Sequence, residues 1–203
     1  LVRLYKKTGE VKYLDAAIKI ANTLASKAQP GDNDHSPWPF KVNAVTGDTG
    51  VLVEHEVWYE GMDKDLENKS TRKSSYTTNY AGALQLFTEL QRINKGRTAE
   101  YKKAFDIVFK WMMEFPSKTN KWGPFFEDVP RWSDTQINAI TWAMFLMENT
   151  KLSPDWEKTV KNIFTWVYDS LTDNRYSKYN VKVIDEQTAY RQPGNSHSSR
   201  QAS

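Results

Sequence analysis

Cysteine is absent from the 203 residues, which excludes disulfides and thiolate metal centres and leaves the redox compartment open. No apolar run reaches the roughly 20 residues that a membrane-spanning helix needs, and mean hydropathy is −0.71. An excess of one charge sign is also missing: 28 Lys and Arg stand against 25 Asp and Glu. The densest basic spot is "TRKS" at residues 71–74. A nucleic-acid binder shows a basic stripe, so no nucleic-acid partner is expected. "GNSHSSRQAS" lacks the Gly-Lys-Ser/Thr ending of a phosphate loop, and neither Gly-x-Gly-x-x-Gly after a strand nor Gly-x-Ser-x-Gly occurs. Nucleotide-dependent and serine-hydrolase chemistry are thereby disfavoured. Strand signals are few. "VLVEHEVWYE" at residues 51–60 alternates as a short strand would, and "YNVKVID" near Tyr179 is a second strand expectation.

Aromatic residues are abundant, at 13% with eight Trp and ten Tyr. Rings on helices are read first as core. Rings in loops suit flat partners such as sugar faces. Three segments repeat one pattern, in which an apolar helix end and a short polar turn lead into a helix that opens on an aromatic. Aligning Tyr13, Tyr101 and Trp156 brings Ala17, Phe105 and Val160 into one row. The next rows are Ile20, Val108 and Ile163, then Ala21, Phe109 and Phe164, then Leu24, Met112 and Val167. Offsets of four, seven, eight and eleven describe one helix face, and a repeat of this kind sets the architecture. The fold class expected is therefore all-α, built of stacked helical hairpins in one domain over 1–203.

Helix starts are expected at Ser153 as N-cap with Pro154 at the first helical position, at Ser133 as N-cap, and near Thr78. The Ser133 helix should carry Ile137, Ile140, Ala143, Met144 and Met147 on its apolar side, and the Thr78 helix Leu84, Phe87 and Leu90. Turns within hairpins are about five residues, whereas the connections between hairpins are long. These run from Pro30 to about Ser75, from Phe115 to Arg131 and from Thr172 to about Ser196. Side-by-side hairpins would place all three at one end, around a shared cleft.

The connectors hold the chemistry. The first offers Asp32, Asp34, His35, Trp38 and Phe40, then Glu54, His55, Glu56 and Trp58. The second offers Trp122, Phe125, Phe126, Glu127, Asp128, Arg131, Trp132 and Asp134. The third offers Asp185, Glu186, Gln187, Tyr190, Arg191, Asn195, His197 and Arg200. Indole beside carboxylates and amides is what a sugar site needs, and cleaving a glycosidic bond in most families takes two carboxyl groups. A lyase would need a base such as His or Tyr and a cation facing the uronate. Glu127, Asp128 and Asp134 are the acid–base candidates. His35, Trp38, Trp122, Trp132, Tyr190, Arg191 and His197 are the substrate-binding candidates. Each has a plainer reading: Asp134 suits a helix N-terminus, His35 a loop hydrogen bond, His197 a helix cap. "EHE" at residues 54–56 would split across a strand's two faces, so no metal site is expected. Asn68-Lys69-Ser70 matches a glycosylation sequon, a pattern that chance supplies often.

The three aligned hairpins, with "HSPWPFKVNAVTGD", "SSYTTNYAGALQLFTEL" and "TAYRQPGNSHSSRQAS", resemble the six-hairpin glycosidase superfamily. These are (α/α) toroids that include glycoside hydrolases and polysaccharide lyases. The resemblance implies part of an (α/α)6-type toroid and a carbohydrate substrate. It implies a glycoside hydrolase acting on a poly- or oligosaccharide, with a lyase or a non-catalytic glycan-binding module as alternatives. No cofactor is expected. The chain opens inside a helical pattern and closes on what reads as another helix's first turn, so a portion of a larger, secreted or periplasmic protein is expected. A helical protein-interaction solenoid would present short loops, and a terpene-cyclase-like toroid would need an Asp-rich motif on a helix. "DNDH" is too short and lies on a loop.

Overall fold

The computed structural model describes residues 1–33, 35–39, 41–42, 45, 49–50, 77–123, 133–188 and 191. Seven α-helices run through them, and the fold is all-α as expected. They are α1 (Val2–Thr8), α2 (Val11–Lys27), α3 (Tyr80–Arg92), α4 (Thr98–Glu114), α5 (Pro116–Thr119), α6 (Gln136–Glu148) and α7 (Trp156–Leu171). Two small antiparallel ladders join them. β1 (Lys41–Val42) pairs with β2 (Thr49–Gly50), and β3 (Thr172–Asp173) with β4 (Val183–Ile184). The strand expected near Tyr179 is β4. The one expected at 51–60 lies outside the described residues.

Helices α1 and α2, α3 and α4, and α6 and α7 form three antiparallel hairpins. The turns are made by backbone chemistry. Gly9 takes φ 72° and its N–H bonds Tyr5 O, closing α1. Between α3 and α4, Asn94 and Gly96 both have positive φ, and a Cβ on Gly96 would lie 2.3 Å from the Tyr101 hydroxyl. Glycine alone meets both demands.

The core is one cluster shared by the three hairpins. α2 presents Leu14, Ala17 and Ala21, all buried, to α4. Small residues there let the helix axes approach closely. From α4 come Tyr101, Ala104, Phe105, Val108, Trp111 and Met112. Tyr101 stacks on Phe87 at 5.5 Å and donates to Asn22 Oδ1 at 2.6 Å. The aligned row is uneven, for Val108 and Ile163 are fully buried while Ile20 is largely exposed. In α2 the contact stripe passes through the alanines and Leu14, which turns Ile20 away. α6 is buried on most sides. Its Met144 and Met147 reach solvent, against expectation, because Trp142 and Phe145 take the interior. Trp142 donates to Ser117 Oγ at 3.0 Å and stacks on Phe145.

Two helix starts also differ. Thr135, not Ser133, caps α6 and accepts from the Ile137 N–H. Ser133 is instead wholly buried. α7 begins at Trp156 after an Asp155 cap, and Ser153 Oγ accepts from the Asp155 N–H one turn earlier. Pro154 therefore precedes the helix. α3 begins at Tyr80, two residues past Thr78.

Candidate functional site

The described parts of the three connectors meet at one end of the bundle, where α3 and α6 begin. Thr77 donates its hydroxyl to Trp122 O at 2.6 Å. Thr78 donates to Asn138 Oδ1 at 3.1 Å, and Asn138 Nδ2 donates in turn to Trp122 O at 3.1 Å. The Thr135 hydroxyl donates to Glu186 O at 3.0 Å, the Gln136 N–H donates to the same carbonyl at 3.1 Å, and Thr135 bridges to Gln187 as in a ladder. Thr188 N–H donates to Asp134 O at 3.1 Å, and Asp134 N–H donates to the Thr188 hydroxyl at 3.0 Å. Residues from 77 to 188 are thus tied into one polar seam. Asn138 and Thr135 do this from the first turn of α6, where a helix has backbone donors to spare.

Two hollows flank the start of α3. One, of about 150 Å³, lies among Thr77, Thr78, Asn138, Thr141 and Trp142. The other, of about 380 Å³, lies among Leu24, Trp38, Pro39, Asn79, Tyr80 and Leu86. The second lies near the low end of the size range of small-molecule sites.

Asp134 sits at the base of the second connector. Its Oδ1 accepts from the Gly123 N–H at 3.0 Å, and Lys121 Nζ lies 3.7 Å from Oδ2. Thr135 N–H returns a bond to Gly123 O at 3.2 Å. These contacts hold Gly123 and Asp134–Thr135 together. Burial raises the Asp134 carboxyl above its ordinary range, and the Gly123 amide and the Lys121 ammonium oppose that only in part.

His35 is held by Asp32. Its ring Nδ1 lies 2.8 and 2.9 Å from the two Asp32 carboxylate oxygens, and its backbone N–H donates to Oδ1 at 2.8 Å. Trp111 Nε1 donates to Asp32 O at 2.9 Å. Gly31 makes room for that indole: a Cβ there would stand 2.6 Å from Trp111 Cδ1. With Nδ1 facing the carboxylate, the imidazole turns Nε2 away from it.

The two described tryptophans expected to face a sugar are core residues. Trp122 is fully buried, and its Nε1 donates to Asn120 Oδ1 at 3.2 Å. Trp38 is 8% exposed. It packs edge-on against Tyr80 at 4.8 Å and donates Nε1 to Leu24 O at 2.8 Å. A loop tryptophan is drawn inward when its apolar area is covered and its N–H finds a carbonyl. Trp38 still lines the 380 Å³ hollow. Arg191 is exposed and donates to Ser170 O at 2.9 Å, with Nη1 3.7 Å from Asp185. Glu127, Asp128, Trp132, Tyr190 and His197 lie outside the described residues.

Sequence reasoning passed over Thr77 and Asn138 and read Thr78 only as a helix start. The one signal from Thr77 and Thr78 was hydroxyls just before a helix, which is common, and Asn138 gave none. Gln187 was included, but not its condition: its side-chain oxygen is buried and meets no donor among the described residues. No family model, no curated protein and no solved structure matches the chain.

Proposed function

We propose that the connector end of the bundle is the working face of a carbohydrate-active enzyme, a glycoside hydrolase acting on a poly- or oligosaccharide by carboxylate acid/base catalysis. On this reading the hairpins are part of an (α/α) toroid. The observation that carries it is the convergence of the three connectors at the starts of α3 and α6, with a carboxyl whose pKa is raised by burial at their junction. An upward shift is the direction that a general acid requires. Glu127 and Asp128, a few residues earlier in the sequence, are the proposed partner carboxylates, and Asp134 either donates the proton or positions the residue that does. Trp38 and Tyr80 line the 380 Å³ hollow at the start of α3.

The test is release of reducing ends from a panel of polysaccharides by wild type and by Asp128→Asn. Abolished turnover with an unchanged melting temperature supports the assignment, and unchanged turnover removes Asp128. The Asp32–His35 pair favours elimination as the second reading. His35 Nε2 would take the proton at C5 of a uronate, the electron pair would form C4=C5, and the C4–O bond would break. Unsaturated, ultraviolet-absorbing ends would mark that reaction. Binding without any product would mark a glycan-binding module instead.

A further inference from the structure

The charges of the connector end are sorted by depth. Lys121 faces Asp134 with its side chain 56% exposed, while the aspartate is 8% exposed. Arg175 and Asp173 show 59% and 5%, and Arg191 and Asp185 show 55% and 2%. Three times the carboxylate lies inside and the cation faces water. Contacts join the three pairs into one stripe. Arg175 Nη2 reaches Arg191 O at 3.4 Å, Asp185 N–H donates to Leu171 O at 2.8 Å, and residues 186–188 bond to Asp134, Thr135 and Gln136. The β3–β4 connection adds Lys178 and Lys182, both exposed, with Lys182 over the Tyr168 ring at 4.1 Å. Asp169 and Glu186 are the acids of the described stripe that reach solvent, Glu186 only in part.

The chain as a whole is nearly neutral, at +3, so this sorting is local. A buried carboxylate holds its cation in place at the surface without presenting negative charge there. A neutral sugar gains nothing from such a face. A chain bearing a carboxylate on each residue gains a fixed cation at intervals and pays little side-chain ordering, because Arg175 and Arg191 are already tied down.

We infer that the carbohydrate of this site is anionic, a uronate-bearing oligosaccharide whose carboxylates lie along Lys121, Arg191, Arg175 and the Lys178–Lys182 turn. The inference rests on the carbohydrate reading and narrows it to a substrate class. Negative charge at each sugar sets its spacing and depth apart from a neutral polymer, and the sugar hydroxyls set it apart from other polyanions.

The experiment is calorimetric titration of the full chain with oligogalacturonate, oligoguluronate and oligoglucuronate. Neutral malto-, cello- and manno-oligosaccharides of equal length and a single-stranded DNA oligonucleotide are run beside them. At least one oligouronate binds, and binding weakens when ionic strength rises from about 0.1 M to about 1 M, as the screening length falls from about 10 to about 3 Å. Lys121→Gln weakens it about fivefold at low salt, the upper range for one exposed charge. Loss of Arg191 would strand the buried Asp185 and threaten folding, so Lys178→Gln/Lys182→Gln serves as the second variant. It removes two cations that have no buried carboxylate partner among the described residues, and it weakens binding with the melting temperature kept. Binding of neutral oligosaccharides alone overturns the inference and leaves the carbohydrate reading standing. Binding of DNA without any oligouronate overturns it, because charge alone then explains the stripe. No saccharide binding of any kind removes both.

Discussion

The two ends of the hairpins are built by different means. At the turn end, the chain reverses through Gly9, Asn94 and Gly96, whose positive φ values are set by residues a few positions apart. At the connector end, Thr77 meets Trp122, Thr78 meets Asn138, and Thr135 meets Glu186, across separations of 45, 60 and 51 residues. The turn end is local backbone chemistry. The connector end is a web of side-chain bonds to groups distant in the chain. A surface assembled this way can carry exposed cations over buried carboxylates, because each carboxylate meets a cation from its own connector.

Trp122→Ala tests whether the connector end is core-like, and it should have the largest effect. The ring is fully buried, so the loss should be about 3–5 kcal/mol by denaturant unfolding. Unchanged stability would place the ring at a surface and undo the contrast. Gly96→Ala strikes the turn end. It forces a Cβ into the left-handed region and onto the Tyr101 hydroxyl, at about 2–3 kcal/mol. If Gly96→Ala proves neutral in the same assay, the turn is not dictated by backbone sterics.

Asp134 sharpens the comparison through pH. Its native carboxyl titrates above the ordinary Asp value of 3.8. Between that value and the raised one, the folded state binds more protons than the unfolded state, so stability falls as pH rises. Asp134→Asn does not titrate there. Relative to wild type it should gain stability as pH rises above the ordinary Asp value, while Asp134→Ala should lose about 1–3 kcal/mol at all pH by stranding the buried Gly123 N–H. Parallel pH curves for wild type and Asp134→Asn would refute the raised carboxyl. The smallest effect belongs to Gln187→Met. The amide oxygen there has no donor among the described residues, so an apolar replacement of similar length should change stability by less than about 0.5 kcal/mol. A loss well beyond that would mean the amide is engaged.

Much of the helical framework was legible. The rows through Val108 and Ile163, the buried Leu84, Phe87 and Leu90, and the strand near Tyr179 all followed from periodicity and propensity. Ile20 and Met144 did not, since periodicity names a face but not which of two neighbouring apolar residues the next helix covers. The cap of α6 fell on Thr135 and not Ser133, because Glu186 supplied a carbonyl for the threonine hydroxyl from 51 residues away. At the site, Asp134 was recognisable as a carboxylate beside a helix start, yet its burial and its bond to Gly123 were not. Trp38 and Trp122 were read as open rings because the local sequence does not signal which apolar neighbours cover them, although the acceptor of the Trp122 N–H, Asn120, is only two residues away.

Composition and period alone determined that this chain forms paired amphipathic helices with chemistry-bearing connectors, because helix faces and turns are governed by residues within a few positions of each other. Which connector side chains are buried, which carboxyl has its pKa raised and which charges face water were decided only by the tertiary structure. Desolvation depends on how the packed hairpins cover a group, and the bonds that tie the connectors together join residues 45 to 60 apart.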